Sequence, residues 1–173
     1  MIGFNHLGRH GRLGNQMFQY AGLRGIAAHR GFDFAIPPSD FNDPWVDHQL
    51  FEAFKLTGLT NIQMVPGPYA QEAAFHFDKN LFDNMPDGHN VYGYLQTTKY
   101  FEHIEDEIRK DFQFKLNIEG PCKEMVASVE DPIALHVRRG DYIENSDNHP
   151  PCTKEYYDEA LSKFDSNRNV IVF

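Results

Sequence analysis

The chain is short of the features that mark disulfide-rich, zinc-binding and membrane proteins. It has two cysteines in 173 residues, Cys122 and Cys152, far apart and without Cys-x-x-Cys spacing. That usage argues against a disulfide framework and a cysteine zinc site, and points to two reduced thiols. The nine histidines are scattered without metal-ligand spacing, and no Asp-x-Asp triplet occurs, so no metal is expected. No apolar run approaches the roughly 20 residues that a membrane-spanning helix needs. Met1-Ile2-Gly3-Phe4-Asn5-His6 has neither the charged lead nor the apolar stretch of a secretory leader. Positive charge is also scarce. Sixteen Lys and Arg against 25 Asp and Glu give a net charge of -9, so nucleic acid is not an expected partner. The expected location is cytoplasmic, with peripheral attachment at the membrane face as the alternative.

What is present suits a folded protein. With 41% hydrophobic and 14% aromatic residues, the chain can bury a sizeable core, as one domain or one domain plus part of another. Residues 1 to 8 read as a short strand, and the glycine-rich stretch Gly8 to Gly14 turns it into a helix beginning near Asn15. Phe18, Ala21, Gly22, Gly25 and Ile26 recur at amphipathic spacing, a small-residue stripe able to lie close against a sheet. Gly31 ends the helix, and Phe32 to Ile36 alternates as a strand before Pro37-Pro38. These elements make a β-α-β unit.

Residues 37 to 90 read as short elements joined by long loops. Within and just beyond them, Phe75 with Phe77 and Tyr92 with Tyr94 alternate as strand residues do, which assigns them to the core rather than to a sugar platform. Trp45 beside Pro44 reads as a loop anchor. A helix is expected after Thr97-Thr98, with Phe101, Ile104 and Ile108 inward and Glu102, Glu105, Asp106 and Glu107 in water. Gly120-Pro121 and Asp131-Pro132 punctuate the chain, giving expected domains of 1-125 and 126-173. In the second, Ile133 to Val137 reads as a buried parallel strand. A helix from Thr153 that uses Tyr157, Ala160, Leu161 and Phe164 follows, and then a strand at Asn169 to Phe173.

Two constellations carry chemistry. In a strand, alternate side chains share a face, so His136 and Arg138 project together and Val137 and Arg139 oppositely. The carboxyl end of a parallel strand is where open α/β sheets bind ligands. An arginine there can hold two oxygens of a diphosphate in a fork and stabilise the charge that builds as a nucleoside diphosphate departs. Gly140 permits a sharp turn and Asp141 can orient an arginine. The plainer alternative is a surface Arg-Arg-Gly-Asp loop with an ordinary salt bridge. The second constellation is Gly11-Arg12-Leu13-Gly14-Asn15-Gln16, a turn into a helix whose free amides suit an anion or a sugar hydroxyl. It lacks the dinucleotide fingerprint and the P-loop ending, so neither NAD nor ATP chemistry is implied.

Five colinear segments resemble the α-1,2-fucosyltransferase family. They are Gly11 to Ala21, Glu72 with Phe75 to Asp78, Gly93 to Phe101, His136 to Tyr142, and Cys152 to Tyr157. The resemblance implies an α/β protein of GT-B type, with a Rossmann-like N-terminal domain on the acceptor side and the beginning of a second Rossmann-like domain for the donor. It implies transfer of L-fucose from GDP-fucose to O2 of a terminal galactose, with inversion and no cofactor or metal. By carry-over, Arg138 holds the donor diphosphate, and His136, Arg139, Gly140 and Asp141 shape its pocket. Gly14 and Asn15 face the fucose, while Arg12, Gln16, Glu72 and Asp78 lie on the acceptor side. The acceptor hydroxyl needs a base as it attacks, and Glu72, Asp78 and His136 remain open for that role.

The implied partners are GDP-fucose and a galactose-terminated oligosaccharide or lipid-linked glycan. Family members continue into a further nucleotide-binding segment after the position of Phe173, so a chain truncated at the C-terminus is expected. Alternative readings are a non-catalytic glycan- or partner-binding remnant, or half of a split enzyme completed by a C-terminal polypeptide.

Overall fold

The computed structural model describes residues 1-39 and 49-173, so Pro44 and Trp45 lie outside the described residues. The chain divides into two compact units, Met1-Ile118 and Glu119-Phe173, against the expected division after residue 125.

The first unit is a mixed α/β layer structure on a parallel sheet, consistent with a Rossmann-like fold. Its strands are β1 (Ile2-Gly3), β2 (Phe34-Ala35), β3 (Tyr69-Gln71) and β4 (Asn90-Tyr92), in the order β2-β1-β4-β3. Gly3 pairs with Ala35 on one side and Asn90 on the other, and Tyr69 to Gln71 run beside Asn90 to Tyr92. The chain crosses from β1 through helix α1 (Leu13-Arg30) to β2, whereas β4 lies on the opposite side of β1. The strand order therefore reverses between β1 and β4, where the loops leaving the two strands separate and open a crevice.

Helix α1 starts two residues earlier than expected and is buried over most of its middle. Tyr20, Leu23, Ile26 and Ala27 join Ile2, Phe4, Leu7, Ile36, Met85, Val91 and Leu95 in the core. Two glycines of the small stripe approach the segment after β4: a Cβ on Gly22 would stand 2.7 Å from Leu95 Cδ1, and one on Gly25 2.0 Å from the Tyr100 carbonyl oxygen. Phe18 is only half-buried. Gly31 takes the left-handed conformation at φ 68° and closes the helix with its N-H on the carbonyls of Ala27 and Ala28.

Short elements fill the middle of the chain: α2 (Gln49-Ala53) and α3 (Lys79-Asn84). In place of one helix after Thr98, two 3₁₀ turns lead into α4 (Glu105-Asp111). Ile108 is buried and the acidic residues Glu102, Glu105, Asp106 and Glu107 are exposed, as expected. Asp111, at the end of the same acidic stretch, is instead fully buried. Its carboxylate accepts from Tyr20 Oη at 2.6 Å, Gly58 N at 2.6 Å and Thr57 Oγ1 at 3.2 Å, and it pairs with Arg24.

The Gly120-Pro121 pair, read as punctuation, lies inside α5 (Leu116-Ala127). In the second unit β5 (Ile133-Leu135) and β6 (Val170-Val172) form a two-stranded parallel sheet, with α6 (Gly140-Glu144) and α7 (Lys154-Leu161) in the connection. Thr153 caps α7 by accepting from Tyr156 N at 3.3 Å. Arg168 donates to Asp131 Oδ1 at 2.8 Å and fastens the start of β6 to the start of β5. The parallel pairing was expected, but the burial was not. Ile133 is buried, Ala134 exposed and Leu135 half-buried, because two strands with a short helical crossover cannot cover both faces of a sheet. Among the described residues no helix is long and apolar enough to cross a membrane.

Candidate functional site

In the first unit the crevice at the strand-order reversal is a real cleft of about 400 Å³. Its walls are the carboxyl ends of β3 and β4, through Gln71 to Phe75 and Tyr92 to Tyr94, and His10 from the loop after β1. The His10 ring meets Tyr92 edge-on at 5.3 Å and Tyr94 at 6.3 Å. His6 stands behind them, 5.3 Å from Tyr92, its pKa lowered by burial and by nearby Arg9 and His10.

The loop from Gly11 enters α1 under a specific constraint. Gly11 has φ +92°, and a Cβ there would lie 1.8 Å from Asn15 Nδ2, so Asn15 folds back over the space that only glycine leaves. Held there, Asn15 Oδ1 accepts from Gln96 Nε2 at 2.5 Å. This joins the loop after β1 to the loop after β4. Gly14 is different: it is exposed, and a Cβ built on it meets nothing within 4 Å. Arg12 is exposed at the N-cap position, and its carbonyl accepts from Gln16 N at 3.1 Å.

Three residues expected on the acceptor side turn out to be tied into the scaffold. Gln16 is fully buried, and its side-chain oxygen accepts from Gln49 N at 3.0 Å. It therefore braces the start of α1 rather than facing a ligand. Glu72 is also buried. Its Oε2 accepts from Tyr94 N at 2.9 Å and Leu95 N at 3.1 Å, and its Oε1 from Tyr100 Oη at 3.0 Å. Burial and the neighbouring Glu72 carboxylate raise the Tyr100 pKa, against a hydrogen bond from Asp78 N that lowers it. Asp78 caps α3 through Leu81 N at 2.9 Å and reaches back to Ala73 N at 3.0 Å. The Leu81 bond is the main reason its pKa is lowered. Two carboxylates that the residue types offered as bases thus pin the loop between them.

The same loop corrects the assignment of its aromatics. Phe77 is half-buried, 4.9 Å from Tyr100. Phe75 is 75% exposed on the cleft wall, 5.7 Å from Tyr94. Tyr92 and Tyr94 are half-buried and line the cleft as well.

In the second unit, the chain leaves β5 with Val137 N still bonded to Phe173 O at 2.9 Å. Val137 is half-buried, and His136 and Arg138 are exposed, as strand alternation dictates. His136 stacks on Phe173 at 5.7 Å. Arg138 is held from two directions: its Nη2 donates to Asp141 Oδ1 and Oδ2 at 2.9 and 3.0 Å, and its guanidinium carbon lies 4.7 Å from the centre of the Tyr142 ring. Among the described residues, its Nε and Nη1 take no partner. Tyr142 in turn stacks on His149 at 4.9 Å. Arg139 is exposed at the entry to α6, its carbonyl accepting from Tyr142 N at 2.7 Å, and Gly140 makes the turn at φ +30°. Sequence reasoning missed Tyr142, although it lies within the segment that carried the assignment. The spacing of Arg138 and Tyr142 across the short α6 turn was the available signal.

Comparison with known proteins gives this geometry a context. The chain is 24% identical over 190 aligned positions to an alpha-1,2-colitosyltransferase of Escherichia coli, with 94% of this chain and 64% of that protein covered. It is 26% identical over 151 positions to galactoside alpha-(1,2)-fucosyltransferase 1 of Bos taurus, with 78% of this chain and 39% of that protein covered. The chain thus spans less than two thirds of the length of either relative. No solved structure matches it. The model of glycosyl transferase family 11 matches residues 69-173, more than half of the chain, including the cleft wall from β3 onward and the whole Arg138 loop; the chain belongs to this family.

Proposed function

We propose that the protein transfers L-fucose from GDP-fucose to O2 of a terminal galactose, forming an α-1,2 bond with inversion and without a metal, in a GT-B arrangement of two Rossmann-like domains. The Arg138 fork carries this reading. Asp141 holds Nη2 and Tyr142 one face, so Nε and Nη1, which take no partner among the described residues, can each donate to an oxygen of a donor diphosphate.

In the reaction the acceptor O2 attacks C1 of fucose as the bond from C1 to the β-phosphate oxygen breaks, and GDP leaves with the electron pair. Arg138 stabilises the charge that grows on that phosphate, the role a divalent ion takes in other transferases. The acceptor proton passes to a base. With Glu72 and Asp78 bonded into the scaffold, His136 remains from the sequence set, and His10 joins it as an imidazole on the cleft wall. A lipid-linked acceptor would bring the protein to the membrane face peripherally, and a complementing polypeptide would supply further contacts to the nucleotide.

A second reading has support in the relative whose name specifies colitose, because that alignment covers nearly all of this chain. The test offers the full chain GDP-fucose or a nucleotide-activated colitose with lactose, and determines the product linkage by NMR. An α-1,2-fucosylated product supports the first reading. Transfer of colitose alone replaces the donor, and linkage to another hydroxyl refutes the O2 assignment.

A further inference from the structure

We infer that Phe75 and Tyr94 form an aromatic platform for a neutral pyranose ring in the cleft of the first unit. This rests on the glycosyl-transfer reading and deepens it by assigning the acceptor sugar to named side chains.

The first observation is how Phe75 is presented. The loop that carries it is fixed at one end by Glu72, bonded to Tyr94 N, Leu95 N and Tyr100 Oη, and closed at the other by Asp78, bonded to Ala73 N and Leu81 N. Phe77 anchors the loop by packing on Tyr100 and Phe82. A segment so restrained could bury Phe75, yet that ring is 75% exposed. A lone exposed apolar side chain needs no explanation. This one shares a cleft with Tyr92, Tyr94 and His10, and its ring is tilted 35° from that of Tyr94.

The second observation concerns what the cleft can bind. Its volume of about 400 Å³ falls within the usual range of small-molecule sites, about 300-1,000 Å³. Among the described lining residues there is no lysine or arginine, so a phosphate or nucleotide finds no fixed cation on the wall. The one carboxylate, Glu72, already accepts three hydrogen bonds and has little to offer a cation. Ala73, Ala74 and Gly93 keep side-chain bulk low beside the rings. Aromatic faces, small neighbours and no uncommitted charge suit a ligand that is uncharged, apolar on one face and hydroxylated at its edge. A galactose ring has that form.

The test uses the full chain and methyl β-D-galactoside, followed by saturation-transfer NMR, with lactose as acceptor in transfer assays. Phe75→Ala should weaken galactoside binding and raise the acceptor KM about three- to tenfold, the worth of one aromatic contact, with kcat, donor KM and Tm unchanged. Phe75→Leu should resemble Phe75→Ala because it keeps apolarity but loses the ring, and Phe75→Trp should restore binding. Undetectable galactoside binding by the wild-type chain overturns the platform, as does equal binding by wild type and Phe75→Ala. Phe75-dependent binding without sugar transfer leaves the platform standing and refutes the transferase reading of this chain. Transfer that is insensitive to Phe75 does the reverse.

Discussion

The Tyr100 hydroxyl donates to Glu72 Oε1 across 3.0 Å and at the same time accepts from the backbone N-H of Asp78 at 2.9 Å. One phenol thus joins both ends of the loop that carries Phe75, and it ties Glu72 into the scaffold.

Glu72→Gln should therefore act on stability before chemistry. An amide cannot accept in both directions, so a buried donor is left unpaired, a loss of about 1-3 kcal/mol. The expected result is a lower Tm with kcat within a few-fold of wild type at a temperature where the variant is folded. A base would behave oppositely, with kcat falling by about 10²-10⁴ and Tm unmoved.

The site was partly legible in the sequence, and the boundary between legible and hidden has a physical cause. Local signals were readable. Gly31 marked the end of α1, Thr153 the start of α7, and alternation around Val137 put His136 and Arg138 on one side. The partners of Glu72 were not readable, because Tyr94, Leu95 and Tyr100 meet it only after β3 and β4 pair. Asp111 was hidden in an acidic stretch whose other members are solvated, and its partners Tyr20 and Arg24 lie on α1. Phe75 misled by alternation: a loop closed by Asp78 turns it outward even though the residue pattern is that of a strand.

Asp111 leads to the largest expected loss. Asp111→Ala leaves Arg24 without its buried counterion and leaves Tyr20, Thr57 and Gly58 without their acceptor. Breaking such a pair costs about 3-5 kcal/mol. Chemical denaturation followed by circular dichroism should show the first unit unfolded or severely destabilised, and an unchanged midpoint would remove Asp111 from the scaffold.

The acid limb of the stability curve should depend on Asp78. Its pKa is lowered in the folded state, chiefly by Leu81 N and also by Ala73 N. Its ionised form therefore stabilises the fold above the unfolded carboxylate pKa of about 3.9. That contribution is lost as pH falls through the lower, folded value. Asp78→Asn keeps a helix cap but presents an amide to Ala73 N. Urea midpoints should differ between wild type and variant at pH 7, begin to approach one another below the unfolded value and converge only once pH has fallen through the lower, folded one; a gap that does not shrink over that range would contradict the assignment.

Arg138 can be separated from its supports by graded substitution. Arg138→Lys keeps the charge but not the fork, and Asp141→Ala keeps the fork but frees it. Because the ion pair is exposed, neither change should move Tm by more than the equivalent of about 1 kcal/mol. Both should raise the donor KM, and Arg138→Ala should reduce transfer below detection. Added EDTA should leave the wild-type rate unchanged if Arg138 supplies the charge stabilisation; inhibition reversed by a divalent cation would transfer that role to a metal.

Gly14 provides the sharpest separation of stability from function. It sits in the first turn of α1, where glycine is about 1 kcal/mol less favourable than alanine in a helix interior, and no neighbour occupies the space a Cβ would fill. Packing therefore gives no reason for the missing side chain. If the open surface admits the donor sugar, Gly14→Ala should raise Tm slightly and lower kcat/KM at least tenfold, whereas Gly11→Ala should simply misfold the loop because its Cβ would strike Asn15. A Gly14→Ala enzyme that is both stabilised and fully active would show that nothing needs to approach this turn.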